Sequence, residues 1–341
     1  MNAQIVRGGL AATALAVLTA IVGLVGCGPT AENAVPRLAI IQYVPTEQME
    51  RGVAGITEAL AKAGYRDGET VSITRFDAQG DMGLLMGICQ QVAAADYAVA
   101  VTVSTPALQG MANANRAGRL IHIFGLVTDP FSAGVGLQRD RPTQHPPHLA
   151  GIGTFEPVAE SFRMARQVNP ALRRVGVVYN AGEDCSLACL TIARTTAAQL
   201  GMTLEEMAID NSALVGEATQ ALLERGVEAF WTGGDNTINN VFAVYAATAR
   251  RRGVPVFSCN LAHVGLGSLF SYGADYHDVG LLIGDLAARA LREPQSVAGM
   301  AITDVAPQRL AVTRDPFPEL SPAWQAALVR LRTVEQQQPA R

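Results

Sequence analysis

The chain is expected to fold as an α/β protein built of two Rossmann-like lobes with parallel sheets joined by a hinge. From Arg37 onward, apolar runs of roughly four to eight residues alternate with amphipathic stretches of about 11–17 residues. The apolar runs are continuous, as in strands covered by helices on both faces of a parallel sheet. The pattern also starts over: Arg37-Leu-Ala-Ile-Ile-Gln-Tyr opens one half and Arg174-Val-Gly-Val-Val-Tyr-Asn opens the other.

In the first half the strand runs are Leu38–Tyr43, Val71–Phe76, Tyr97–Val103 and Leu120–Phe124, with helices over Glu47–Ala63, Leu84–Ala95 and Pro106–Arg116. The Pro-rich segment Gln138–His148 reads as a surface loop leading to a hinge. In the second half the runs are Val175–Tyr179, Met202–Ile209, Val227–Trp231 and Val254–Ser258. Their helices are Pro157–Val168, Ser186–Leu200, Ala213–Glu224, Asn236–Arg251 and Asp278–Leu291. Lobe 1 is therefore expected over 37–150, completed by about 257–290, and lobe 2 over 151–256, completed by about 291–313. Residues 314–341 form an extension with one short helix near Trp324–Thr333 and a polar end.

Composition narrows the function. The 341 residues are 49% apolar and 16% charged, too apolar for a disordered chain, and a net charge of −4 offers no basic surplus for nucleic acid. The one long uncharged apolar run lies at the start, from Gly8 to Gly26 after Arg7. It is long enough to span a bilayer, but Leu24-Val25-Gly26-Cys27 resembles a bacterial lipobox, so 1–26 reads as a lipoprotein signal peptide and Cys27 as the acylated residue. Residues 27–36 are then a polar linker, and the protein is expected on the periplasmic side of a membrane, lipid-anchored, with Gly28 favouring the outer membrane. Cys89, Cys185, Cys189 and Cys259 are too few for a disulfide framework; Cys185 and Cys189 are near enough in sequence to pair.

Ligands of open parallel sheets bind beyond the carboxyl ends of the strands, where helix N-termini converge. Here those positions are polar: Gln42 and Tyr43, Ser104 and Thr105, Thr128 and Asp129, Asn180, Asp235 and Asn236, and Asn260. Each is also an ordinary turn or capping residue; facing one gap, together they suit a small-molecule site. Enzyme motifs are missing. No G-x-G-x-x-G turn follows the first strand, no G-x-S-x-G elbow or G-x₄-G-K-[ST] loop occurs, and Lys62 is the only lysine. His145 and His148 flank a Pro pair without a further ligand at metal spacing, Asp275 and Asp278 read as helix caps, and Glu156 sits at a helix start. No catalytic residue, metal or cofactor is assigned.

Several stretches carry a family resemblance. They include Leu60-Ala-Lys-Ala-Gly-Tyr65, Asp77-Ala-Gln-Gly-Asp-Met82, Ser104-Thr-Pro-Ala107, Val127-Thr-Asp-Pro130, Gly176-Val-Val-Tyr-Asn180, Gly234-Asp-Asn-Thr237 and Tyr272-Gly-Ala-Asp-Tyr276. In that order, over 37 to about 313, the chain resembles the ABC-transporter substrate-binding proteins that include tryptophan and other aromatic-amino-acid uptake proteins. The resemblance implies a type I periplasmic-binding-protein-like fold closing on a small-molecule ligand, expected to be an aromatic or apolar organic solute, and delivery to an ABC permease and its ATPase; a monomer is expected because a cleft that must open is poorly served by a large fixed interface. It also implies that Ser104, Thr105, Thr128, Asn180, Ser186, Asp235 and Asn236 line the cleft; Cys185 beside Ser186 is expected at the site with them, and Tyr43 offers an aromatic wall. The chain departs from the family at Cys185-Ser186 and at Cys259-Asn260-Leu261, where the family has a carboxylate and this chain has the neutral Asn260. An amino-acid ammonium then needs Asp235 or Asp129 as its partner, and a lipid- or sterol-like ligand trafficked across the periplasm is the alternative.

Overall fold

The computed structural model describes residues 35–304, 308–315 and 319–338. Residues 1–26, expected to be a signal peptide, and Cys27 lie outside the described residues.

Among the described residues, twelve strands form two sheets. They are β1 Arg37–Gln42, β2 Ser72–Asp77, β3 Val99–Val103, β4 Ile121–Val127, β5 Leu149–Gly153, β6 Arg174–Asn180, β7 Thr203–Ile209, β8 Ala229–Thr232, β9 Val256–Ser258, β10 Phe270–Ala274, β11 Thr303–Asp304 and β12 Gln308–Val312. The first sheet has the order β11-β5-β4-β3-β1-β2 and the second β12-β10-β9-β8-β6-β7. Every pairing is parallel except β10 with β12. The two halves are thus α/β lobes of matching topology. Each strand order reverses beside the first strand of its lobe, which places a crevice at the carboxyl edge.

The helices are α1 Glu47–Lys62, α2 Met82–Ala94, α3 Thr105–Ala114, α4 Val158–Val168, α5 Asp184–Gln199, α6 Val215–Glu224, α7 Asn236–Asn240, α8 Phe242–Arg250, α9 Tyr276–Arg292 and α10 Pro322–Gln336. Side-chain caps start several of them: Thr46 accepts from Met49 N, Asp81 from Leu84 N, Asp235 from Ile238 N and Asp275 from His277 N. The single helix expected over Asn236–Arg251 is broken at Val241, whose φ of −124° lies outside the helical range.

Segments after residue 256 are shared differently from the expectation. β9 and β10 pair in the second sheet, while α9 packs against the first. Beyond 291, β11 joins the first sheet and β12 the second. The boundary at 150 falls inside β5, a glycine-rich strand with no signature of its own in the alternation. Its glycines are obligatory: a Cβ at Gly151 would collide with the Phe124 carbonyl.

Glycines also join the returning chain to lobe 1. Where α9 crosses α1, a Cβ at Gly280 would strike the Gly52 carbonyl, and one at Gly55 the His277 carbonyl. A Cβ at Gly284 would lie 2.5 Å from the Ile56 carbonyl. The helices therefore meet backbone to backbone, and Ile56, Leu60, Val279, Ile283 and Ala287 close the seam as part of the lobe 1 core. Gly280→Val should destabilise the protein by about 3 kcal/mol or more, read as a fall in thermal midpoint, because backbone cannot give way as a side chain can.

Candidate functional site

The carboxyl ends of β1, β3, β4 and β5 face those of β6 and β8 across a closed gap. Gln109 on α3 donates from Nε2 to Asp184 Oδ2 on α5 at 2.7 Å, bridging the mouth from lobe to lobe. Deeper in, a Cβ at Gly234 of lobe 2 would lie 2.6 Å from Thr128 Oγ1 of lobe 1. The polar residues expected at strand ends are nearly all enclosed: Gln42, Ser104, Thr105, Thr128, Cys185, Ser186, Asp235, Asn236 and Asn260 are buried.

On the lobe 2 side, two acids organise the wall. Asp235, 3% exposed, accepts from Asn180 N and Ser186 Oγ, both at 2.7 Å, and from Ile238 N at 2.8 Å. Glu183 accepts from the backbone N–H and Nδ2 of Asn236, and from the backbone N–H and Oγ1 of Thr237. Asn180 Nδ2 donates to Thr237 Oγ1, and Cys185 Sγ lies 3.4 Å from Glu183 Oε2. Asn180, Cys185, Ser186 and Asn236 thus hold the acids in place from behind.

Glu156 is the group that sequence reasoning missed. It follows β5 in the passage from lobe 1 to lobe 2, and its side chain turns inward and does not cap α4. Oε2 is buried without a hydrogen-bond partner, and a Cβ at Gly233 would lie 3.1 Å from it. Burial raises its pKa to about 8, and the neighbouring Asp235 raises it further against the pull of Cys259. Burial likewise lifts Asp235 to about 7, with Glu183 adding to the rise and the bonds from Asn180, Ile238 and Ser186 opposing it. Buried Tyr276, at the start of α9, is pushed up first by burial and then by Glu156. Recognising β5 would have placed Glu156 at a strand end with the others.

The opposite wall supplies uncommitted hydroxyls and amides. Gln42 Oε1, Gln48 Nε2, Ser104 Oγ, Thr105 Oγ1 and Thr154 Oγ1, together with Thr232 Oγ1 on β8 of lobe 2, are buried with no partner among the described residues. Each such group costs about 1–3 kcal/mol, so a cluster at one gap marks a place that another molecule completes. Ser104 also holds a φ of +92°, a backbone strain that concentrates at functional sites. Tyr43, half-buried on the rim, donates to the Gly80 carbonyl at 2.7 Å.

Two expected residues are otherwise engaged. Asp129 accepts from Arg139 at 3.0 Å and from Phe131 N, so its charge is already matched. Asn260 accepts from Ala262 N and contacts His263 at 3.1 Å, which ties it into a short turn. Cys185 and Cys189 are not bonded to each other; all four cysteines among the described residues are free and buried. Among the described residues, no group of His, Cys, Asp or Glu is arranged to hold a metal ion.

Two lobes of matching α/β topology, closed over a polar gap, have the arrangement of a solute-binding protein. Residues 37–314 match the family described as ABC transporter substrate binding protein, and the chain belongs to that family. It is a transport protein and not an enzyme, and as the substrate-binding part of an ABC importer it is extracytoplasmic. It is 24% identical over 278 residues to a tyrosine-binding protein of Clostridioides difficile (strain R20291), spanning 82% of this chain and 79% of that one. A conserved domain protein from Vibrio cholerae superposes with a TM-score of 0.78 at 24% identity, over 82% of this chain and 93% of the other. An ABC domain in complex with L-Trp from Streptococcus pneumonia gives a TM-score of 0.76 at 22% identity, over 82% and 92%. No helix among the described residues is long and apolar enough to cross a membrane.

The acid pair makes stability pH-dependent. With folded pKa values near 8 and 7 against ordinary values of 4.5 and 3.8, the folded chain holds more protons than the unfolded one between those limits. The pair's contribution is greatest below about pH 4 and is lost as pH rises through 7 to 8. Glu156→Gln should flatten this decline in ligand-free protein, measured as thermal midpoint from pH 5 to pH 8.

Proposed function

We propose that the protein captures an amino acid with an aromatic side chain between its lobes and hands it to an ABC permease and its ATPase. The observation that carries this reading is the buried Glu156–Asp235 pair facing a wall of unpartnered hydroxyls. Two carboxyl groups sharing one enclosed place match an ammonium, whose arrival favours the ionised form of both. Ser104 and Thr105, at the N-terminus of α3, offer hydroxyls and the positive end of the helix to the ligand's carboxylate. Tyr43 and Tyr276 supply aromatic surface. The tyrosine- and tryptophan-binding relatives support the same class. A lipid or sterol-like ligand would leave the acid pair without a cation, at a cost of several kcal/mol.

Isothermal titration should detect binding of L-tyrosine, L-tryptophan or L-phenylalanine. N-acetyl-L-tyrosine, which has no ammonium, should fail. Glu156→Gln and Asp235→Asn should each weaken binding by about 1–3 kcal/mol. Binding near pH 7 should release protons, seen as heats that vary with the buffer's ionisation enthalpy. Uptake of palmitate with none of the three amino acids binding would overturn the reading in favour of a lipid carrier.

The protein is proposed to act as a monomer, tethered by acyl chains on Cys27 and the short linker after it. Metabolic labelling with an alkyne analogue of palmitate should mark the wild type and not Cys27→Ala.

A further inference from the structure

Lobe 1 carries a second cavity, of about 430 Å³, between α3, the starts of β4 and β5, and the loop before β5. Its polar lining comes from Gln109, Asn113, Arg116, His122 and His148, and no acidic side chain lines it. Arg116, exposed just beyond α3, makes no salt bridge to a described residue. Ala133, Val135, Pro146 and Leu149 give the cavity an apolar wall.

His122 is the second, independent sign of a ligand. It is 0% exposed, and its Nε2 lies 2.8 Å from Thr102 Oγ1 while Nδ1 has no partner among the described residues. Burial lowers its pKa to about 3, so the ring is neutral, and burial lowers that of His148 too. Arg116 is then the only fixed charge in the lining. An orphaned imidazole nitrogen in a wall that also holds one unmatched guanidinium is a costly arrangement unless a guest satisfies it.

We propose that this cavity is an accessory site for a small organic carboxylate, held by Arg116 with its apolar body against Val135, Pro146 and Leu149. One planar guanidinium suits a carboxylate through paired N–H bonds, whereas a phosphate dianion calls for more positive charge than the lining holds. Gln109 links the site to the cleft, because its Nε2 donates both to the Ala133 carbonyl at the cavity wall and to Asp184 across the cleft mouth. The inference rests on lobe 1 alone and stands apart from the identity of the cleft ligand.

The test is a titration of the lipid-free mature chain with sodium benzoate, followed by the ring signals of its five histidines in NMR. Saturable shifts are expected at His122 and His148, with His263 and His277 unmoved. Benzyl alcohol, of similar shape without the charge, should give none, and Arg116→Gln should weaken the response about tenfold or more. Arg116 is exposed, so this variant keeps the fold. Three results would overturn the proposal: no shift at His122 and His148, an equal response to inorganic phosphate, or benzoate shifts confined to the amides of Ser104 and Asp235. The last would move the anion to the cleft and leave the cleft's own assignment intact.

Discussion

Keeping two acidic side chains out of water, close enough to feel each other, is the constraint around which the cleft is built. Removing a carboxylate from water costs several kcal/mol even after relaxation, and a second one nearby adds repulsion. The chain meets this unevenly. Asp235 has three donors and its neighbour Glu183 has five, counting the Cys185 thiol, so much of lobe 2's polar wall is devoted to these two groups. Glu156 has far less around it, and protonation is its remaining relief. A cation entering the gap supplies what the polypeptide withholds, and that difference between empty and filled states is available for ligand affinity.

The alternation of apolar runs and helices made the α/β class and the doubled lobes legible, because burial on both faces leaves a plain mark on composition. Which sheet a late strand joins left no such mark. Val256–Ser258 and Phe270–Ala274 look like any other strands, and their partners are set by long-range packing and by the glycine contacts of α9 with α1. In the site, strand-end polarity led to Ser104, Thr105 and Asp235, all buried in the structure. It could not separate groups that face the gap from those that brace it, such as Asn180 and Asn236, since both kinds are polar and follow a strand. Glu156 escaped because β5 is short and glycine-rich. Thr154, Gln48 and Thr232 escaped because unmet hydrogen-bonding capacity is a property of the folded arrangement.

Charge pairs gather where the lobes join. Arg309 on β12 lies 3.3 Å from Asp278 and 3.7 Å from Asp275, and Arg51 on α1 lies 3.4 Å from Asp275. A cavity of about 310 Å³ borders this cluster. The cluster draws on both lobes and on the first turn of α9, so it ties them at the junction, while Gln109 and Asp184 meet at the opposite, outer lip.

The polypeptide passes between the lobes three times: after β5, between β10 and α9, and between β11 and β12. Repeated crossings between two lobes suit a hinge more than a slide, much as a bound book opens along its spine. Glu156 belongs to the first crossing, and a point on the spine travels least when the covers part. On the proposed reading the acid that meets the ammonium is then in position before the jaws shut, whereas Asp235 and the hydroxyls of Ser104 and Thr105 ride in from opposite sides. Recognition on this wiring starts at the pivot and finishes at the lips.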